Sequence, residues 1–208
     1  GTPIGKGKRN TVDKFGDVID KYSFQDAIDD GVTLPVKHHG LFPEMYVEGP
    51  ETLDEIFDRV FADLDTKIKA KLKQVYGNKE AIAKSPERIK KVCDRILEHY
   101  QGYIEPDGFK AMIIAADIPT AVFYKKQLDK IGAPPSKIIT SLGLGQKGSD
   151  GESWDEFYVP NPETESEKFK DPKDPTKFLI VVDMLLTGFD CPILKVLYLD
   201  KVLKEHTL

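Results

Sequence analysis

The 208-residue sequence is poor in cysteine, with only Cys93 and Cys191, and holds a single tryptophan. The two cysteines lie far apart in separate predicted elements. That spacing excludes a disulfide framework and predicts a reduced, intracellular chain. No apolar run approaches the length of a membrane span, and no signal-peptide pattern opens the chain, so the expected location is cytoplasmic with no membrane partner. The formal charge of −5 gives no global basic field. Strong autonomous nucleic-acid binding is therefore not expected, and any DNA contact must be local. A phosphate-binding P-loop is missing too, because Gly5-Lys-Gly-Lys8 lacks the Gly-x4-Gly-Lys-Ser/Thr spacing. Nor is there a metal site: the adjacent His38 and His39 point apart on a strand and have no partners at ligand spacing.

What is present suits a globular domain, or one domain with a substantial insertion: 40% of residues are apolar and 31% charged. The most informative stretch runs from Lys177 to Lys201. Phe178 to Val182 is an unbroken apolar run rich in branched residues, the pattern of a strand buried on both faces in a parallel sheet. Asp183 stands where that strand should emerge, followed by Thr187-Gly188-Phe189-Asp190 and Pro192. Val196 to Leu199 reads as a second short strand ending at Asp200-Lys201. In open α/β sheets ligands bind beyond the carboxyl ends of strands. A glycine there admits close backbone approach, and a hydroxyl and a carboxylate direct hydrogen bonds. On composition alone, a plain turn between strands explains the tetrapeptide equally well.

Upstream, Gly1 to Asn10 is basic and turn-rich. Asp17 to Ser23 reads as a strand, Phe24 to Ile28 as a short helix ending near Gly31, and Val32 to Val36 as extended chain. Residues 44 to about 107 read as a helical insertion. Leu53, Ile56, Phe57, Val60, Phe61, Leu64, Ile68 and Leu72 form one apolar stripe, with Thr52 and Glu55 as a capping box and Gly77-Asn78 as a stop. Lysines 67, 69, 71, 73 and 79 share that element with acidic residues, the mark of a solvated helix face more than of a phosphate track. Ser85-Pro86-Glu87 opens a second helix whose buried face is Ile89, Val92, Cys93, Ile96, Leu97 and Tyr100, ending at Gly102. Lys110 to Ala116 is a buried strand, and Pro119 to Ile131 a helix stopped by Gly132. Ser136 to Ser141 is the next strand, with Thr140 and Ser141 at its end as candidate phosphate contacts. Gly143-x-Gly145-x-x-Gly148 is not a dinucleotide fingerprint, because Ser149 to Trp154 shows no helix onset. Residues 143–175 read as a long acidic surface loop, partly mobile, with a short helix around Glu163 to Phe169.

The wording from Val181 to Lys201 resembles motif V of superfamily 2 helicases and translocases, in the form found in the motor (restriction) subunit of type I restriction enzymes. Gly1-Thr2-Pro3 resembles the tail of motif III, Tyr22 to Pro35 the segment entering the second motor lobe, and Lys110 to Ile131 motif IV. The last is equally an ordinary βα unit of a doubly wound fold. The resemblance implies an α/β, RecA-like (P-loop NTPase-type) second lobe over residues 17–208, with 1–16 as first-lobe tail and linker. It also implies that the segment stops before motif VI and, holding no catalytic residue of its own, is inactive alone. It implies Gly188 and Asp190 at the nucleotide cleft, and Thr187 and Asp183 coupling that cleft to DNA. For the full-length protein it implies ATP and Mg2+, neither bound by this segment alone. The implied partners are duplex DNA, the first lobe and nuclease domain of the same chain, and modification and specificity subunits. Two alternatives remain: another superfamily 2 motor, such as a type III restriction enzyme or repair helicase, and a non-catalytic α/β binding module.

Overall fold

The computed structural model describes residues 16, 17, 19–40 and 84–201. These fall into two units, one holding residues 16–40 and the other 84–201. In the first, helix α1 spans Phe24–Asp29. Ser23 caps it reciprocally: its hydroxyl accepts from the Asp26 amide, and the Asp26 carboxylate accepts from the Ser23 amide. Its C-terminus is a Schellman turn, with Gly31 at φ +70° and bonds Val32 N–H to Ala27 C=O and Gly31 N–H to Ile28 C=O. The strand expected over Asp17 to Ser23 does not form among its described residues. Among the described residues no partner strand reaches it, and Ile19 and Tyr22 are left exposed. Val32, Leu34 and Val36 are exposed as well, without regular secondary structure.

The second unit is built on a four-stranded, wholly parallel sheet in the order β2-β3-β1-β4. Its strands are β1 (Lys110–Ile114), β2 (Ser136–Ile139), β3 (Phe178–Val181) and β4 (Leu194–Leu199). β1 and β3 are buried at every residue, as their unbroken apolar runs require of central parallel strands. β4 begins two residues before the expected Val196. It alternates, with Lys195, Leu197 and Leu199 exposed, as befits an edge strand.

Helices α2 (Pro86–Tyr103) and α3 (Ile118–Lys130) join one core with one face of the sheet. In α2, Ile89, Cys93, Ile96 and Tyr100 recur at helical spacing and are buried. Ser85 caps its start by accepting from the Arg88 amide, and Pro86 pre-sets the first turn. Gly102 does not end this helix, which runs on to Tyr103. Its chain turns instead through a short 3-10 segment, Glu105–Asp107, to Gly108 at φ +77°. In α3, the Asp117 carboxylate accepts from both the amide (2.9 Å) and the hydroxyl (2.5 Å) of Thr120. A second Schellman turn closes it: Ala133 N–H to Leu128 C=O and Gly132 N–H to Asp129 C=O. The other predicted helix of the insertion, over 53–72, lies outside the described residues.

The stretch 143–175 is more ordered than its composition suggests. Lys147 and Ser153 form an antiparallel bridge, Trp154 N–H donates to Gln146 C=O, and Trp154 and Phe157 pack against the core. Helix α4 spans Pro162–Phe169, capped by Asn161, near the expected bounds. Beneath it, fully buried Lys110 on β1 donates to the backbone carbonyls of Phe169 (2.8 Å), Asp171 (2.9 Å) and Asp174 (3.2 Å). Burial holds its ammonium below the ordinary lysine pKa, while nearby Asp174 works against that shift.

Candidate functional site at the carboxyl edge of the sheet

The sheet order creates the site. β1 feeds α3 and β2 on one side, whereas the loop after β3 leads past β1 to β4 on the other. The carboxyl ends of β1, β2 and β3 border a cleft of about 410 Å3, lined by Ala116 to Pro119, Thr140 and Ser141, and Val182 to Met184. A larger hollow of about 460 Å3 lies along β2 beside Tyr158 to Pro160 and the start of α4. None of the residues predicted from sequence lines it, so the carboxyl-edge cleft is the stronger candidate.

Three of the predicted residues meet in that cleft: Asp183, Thr140 and Ser141. Thr140 is buried, its hydroxyl accepting from the Leu142 amide at 3.3 Å, whereas Ser141 is exposed. Asp183 lies at the rim with its side chain 70% exposed. Thr187, Gly188 and Asp190 are not in the cleft lining. They occupy the loop that leaves the carboxyl edge after β3 and returns to the amino edge, where Ile193 C=O accepts from the Lys110 amide. All three are exposed. Gly188 adopts φ +72° with open space where a Cβ would project, so its backbone conformation, not crowding, calls for glycine. Leu185 holds φ +63°, a left-handed conformation that strains a side-chain-bearing residue and is concentrated at functional loops. The Lys170 ammonium lies 5.3 Å from the Phe189 ring centroid, placing the end of α4 against this loop. Gly1, Thr2 and Pro3 lie outside the described residues.

Sequence reasoning missed the charged partners around the cleft. Lys84 pairs with Asp117 at 2.8 Å, and Lys201 with Asp183 at 2.5 Å. Burial raises the Asp117 pKa, but hydrogen bonds from Lys84 and from the Thr120 hydroxyl and amide outweigh it and hold the carboxyl below its ordinary value. At the end of β4, Asp200 is gripped by the Arg88 guanidinium through both oxygens and accepts from the Tyr124 hydroxyl at 2.6 Å. That hydrogen bond to Asp200 is the main cause raising the Arg88 pKa, partly offset by burial. The only sequence signal for these contacts was an ionisable residue interrupting or bordering an apolar run. Arg88 and Asp200 are 112 positions apart, beyond any local pattern.

Chemically, the cleft offers hydroxyls and the amino end of α3 to an oxyanion. Its two acidic side chains, Asp117 and Asp183, are each offset by a lysine. Among the described residues no group of three or more metal-ligating side chains comes together. No helix of the described residues is long and apolar enough to cross a membrane. Both cysteines are buried and unpaired, and burial pushes the Cys93 thiol up to about 12.

Comparison with known proteins bears on this arrangement. Residues 1–70 match the SWI2/SNF2 ATPase family model, and residues 161–208 match the model for type I restriction enzyme subunit R domain 3. The whole chain aligns with the putative type I restriction enzyme MjaIXP endonuclease subunit of Methanocaldococcus jannaschii, at 33% identity over 213 residues and 20% of that protein's length. It likewise aligns along its whole length with the type I restriction enzyme HindI endonuclease subunit of Haemophilus influenzae, at 29% identity over 220 residues and 20% of that protein. The MjaVIIP endonuclease subunit of M. jannaschii is 31% identical over 253 residues, 22% of its length. The chain thus spans about a fifth of the curated relatives it matches. With its parallel α/β sheet of RecA-like type, the chain is homologous over its entire length to the endonuclease (R) subunits of type I restriction enzymes.

Proposed function

We propose that this chain is the second RecA-like lobe of an ATP-dependent DNA translocase, within the endonuclease subunit of a type I restriction system. It contributes the motif IV and motif V parts of a cleft completed by a first lobe, and it is inactive on its own. The observation that carries this reading is the loop Asp183 to Asp190. It leaves a doubly buried parallel strand at the carboxyl edge, bears a strained Leu185 and a left-handed Gly188, and lies in a segment homologous to R subunits throughout.

ATP supplies a phosphoryl group whose transfer needs in-line positioning and charge stabilisation. In this reading Thr140, Ser141 and the amino end of α3 bind phosphate oxygens of nucleotide or DNA, while Thr187 and Asp183 couple the cleft to the DNA track. Gly188 and Asp190, on the exposed loop, face the first lobe and approach the nucleotide from this side. Mg2+ would be held by acidic residues of the first lobe and would offset the charge of the phosphates. The partners in this reading are duplex DNA, the first lobe and nuclease domain of the same chain, and modification and specificity subunits.

Sequencing the reading frame on both sides of the segment tests the assignment. Upstream the reading expects Gly-x4-Gly-Lys-Ser/Thr, an Asp-Glu box and, further back, an acidic-plus-lysine nuclease cluster. Downstream it expects a helix bearing Gln and Arg. Motor motifs without the nuclease would leave a different superfamily 2 translocase, and absence of the motor motifs would leave a binding module.

A further inference from the structure

The dipeptide Asp200-Lys201 joins two sets of contacts, one at the cleft rim and one beneath it in the core. Lys201 turns back from the end of β4 to the end of β3, donating to Asp183 Oδ1 at 2.5 Å and to the Val182 carbonyl at 3.4 Å. Those acceptors are the first two residues after β3, where the strained loop through Leu185 and Gly188 begins. Asp200 fixes the point from which Lys201 reaches. Its amide donates to Ile114 C=O at 3.0 Å, and its carboxylate takes both arms of Arg88 from α2 and the Tyr124 hydroxyl from α3. Arg88 and Asp200 are only 19% and 14% exposed, so water competes weakly for this pair. The Lys201–Asp183 pair is 21% and 70% exposed and can exchange. A rigid clamp thus sits one residue from a labile one.

We propose that Lys201 is a positioning residue for the loop Asp183 to Asp190, and that the Arg88–Asp200–Tyr124 cluster holds Lys201 in register. A displacement of α2 is then transmitted to the start of the loop through two consecutive residues. A left-handed Leu185 persists only where its surroundings over-determine the chain. Lys201 supplies that constraint at the start of the loop, as Lys170 against Phe189 does near its end. The consequence for ATP turnover rests on the motor reading above, whereas the positioning itself does not.

The test uses the full-length protein and two readouts. Backbone hydrogen exchange over residues 184–190 is compared among wild type, Lys201→Met, Lys201→Arg, Arg88→Lys and, as a control at the other edge of the sheet, Lys195→Ala. Lys201→Met should speed exchange in the loop roughly 3–5-fold, the range expected for losing a half-exposed ion pair, with β1 and β3 unchanged. Lys201→Arg should restore it, Arg88→Lys should shift it in the same direction as Lys201→Met, and Lys195→Ala should leave it alone. Unchanged loop exchange in Lys201→Met, or equal acceleration throughout the sheet, overturns the proposal. In parallel, Lys201→Met should lower kcat of DNA-stimulated ATP hydrolysis by a similar factor without changing KM for ATP. A wild type that hydrolyses no ATP with DNA refutes the motor reading and leaves the exchange result standing. An active wild type with unchanged kcat in Lys201→Met refutes the coupling to turnover.

Discussion

Replacing Lys110 with methionine removes one ammonium from the amino end of β1 while nearly keeping the side-chain volume. In the folded chain that ammonium is 0% exposed and serves three backbone carbonyls of the turn after α4, at 2.8, 2.9 and 3.2 Å. Two effects oppose one another. Burying an ammonium costs several kcal/mol, so an apolar isostere is sometimes neutral or stabilising. Removing the donor, however, strands the carbonyls it serves, at about 1–3 kcal/mol for each one that stays dry, although Asp171 C=O keeps the Asp174 amide as a second donor at 3.1 Å. Asp171 is exposed and its carbonyl can turn to water, whereas Phe169 is 1% exposed. Counting one carbonyl fully stranded and one partly gives a cost of about 2–4 kcal/mol, which relief of the ammonium's desolvation reduces, so the melting temperature should fall by no more than roughly 16 °C for a domain of this size. Urea denaturation followed by the fluorescence of the single Trp154 reads this directly. A loss below about 0.5 kcal/mol, the range of an ordinary surface substitution, would refute the view that the carbonyl contacts outweigh the desolvation. Lys110→Arg should also destabilise, because it forces a larger, planar head group into a fully buried position.

Tyr124→Phe removes the buried hydroxyl that donates to Asp200 but leaves the Arg88 pair, so urea denaturation should show a loss of about 1–2 kcal/mol. Gly148→Ala would place a Cβ 2.6 Å from Asp150 Oδ1 and 3.2 Å from the Trp154 ring, and should alter tryptophan fluorescence. Gly188→Ala meets open space and should cost only the left-handed backbone, about 1–2 kcal/mol, with the same spectrum. Asp117 and Asp174 have folded pKa values below their ordinary ones, so their stabilisation is complete above the unfolded value of about 3.9. The urea midpoint should therefore fall as pH drops below about 4, and Asp117→Asn should shrink that fall.

Much of the second unit was legible because its signals are local. Pro119 at the start of α3, Gly132 after it, and Ser85-Pro86 before α2 are local signals that mark helix ends within a few residues, whereas the cap Asp117 was not singled out. β1 and β3 were legible because a parallel strand covered on both faces must be apolar throughout. The strand expected from Asp17 to Ser23 does not form among the described residues, where no partner strand lies beside it, and a segment's own sequence does not reveal its partner. At the site, Asp183, Thr140 and Ser141 followed from the rule that strand ends carry function. The course of the Thr187 to Asp190 loop away from the cleft depended on the β2-β3-β1-β4 order, a long-range property. Lys110 reads from sequence as part of a buried strand, but its three carbonyl partners in residues 169–174 lie about sixty positions away, beyond any local pattern.

The most direct test of the central claim is ATP hydrolysis with and without duplex DNA, by the full-length protein and by the 208-residue segment. The account predicts DNA-dependent hydrolysis by the full-length protein, its loss when Gly188 and Asp190 are both replaced by alanine, and none by the segment. Hydrolysis by the segment alone, or full activity after that double replacement, would contradict it.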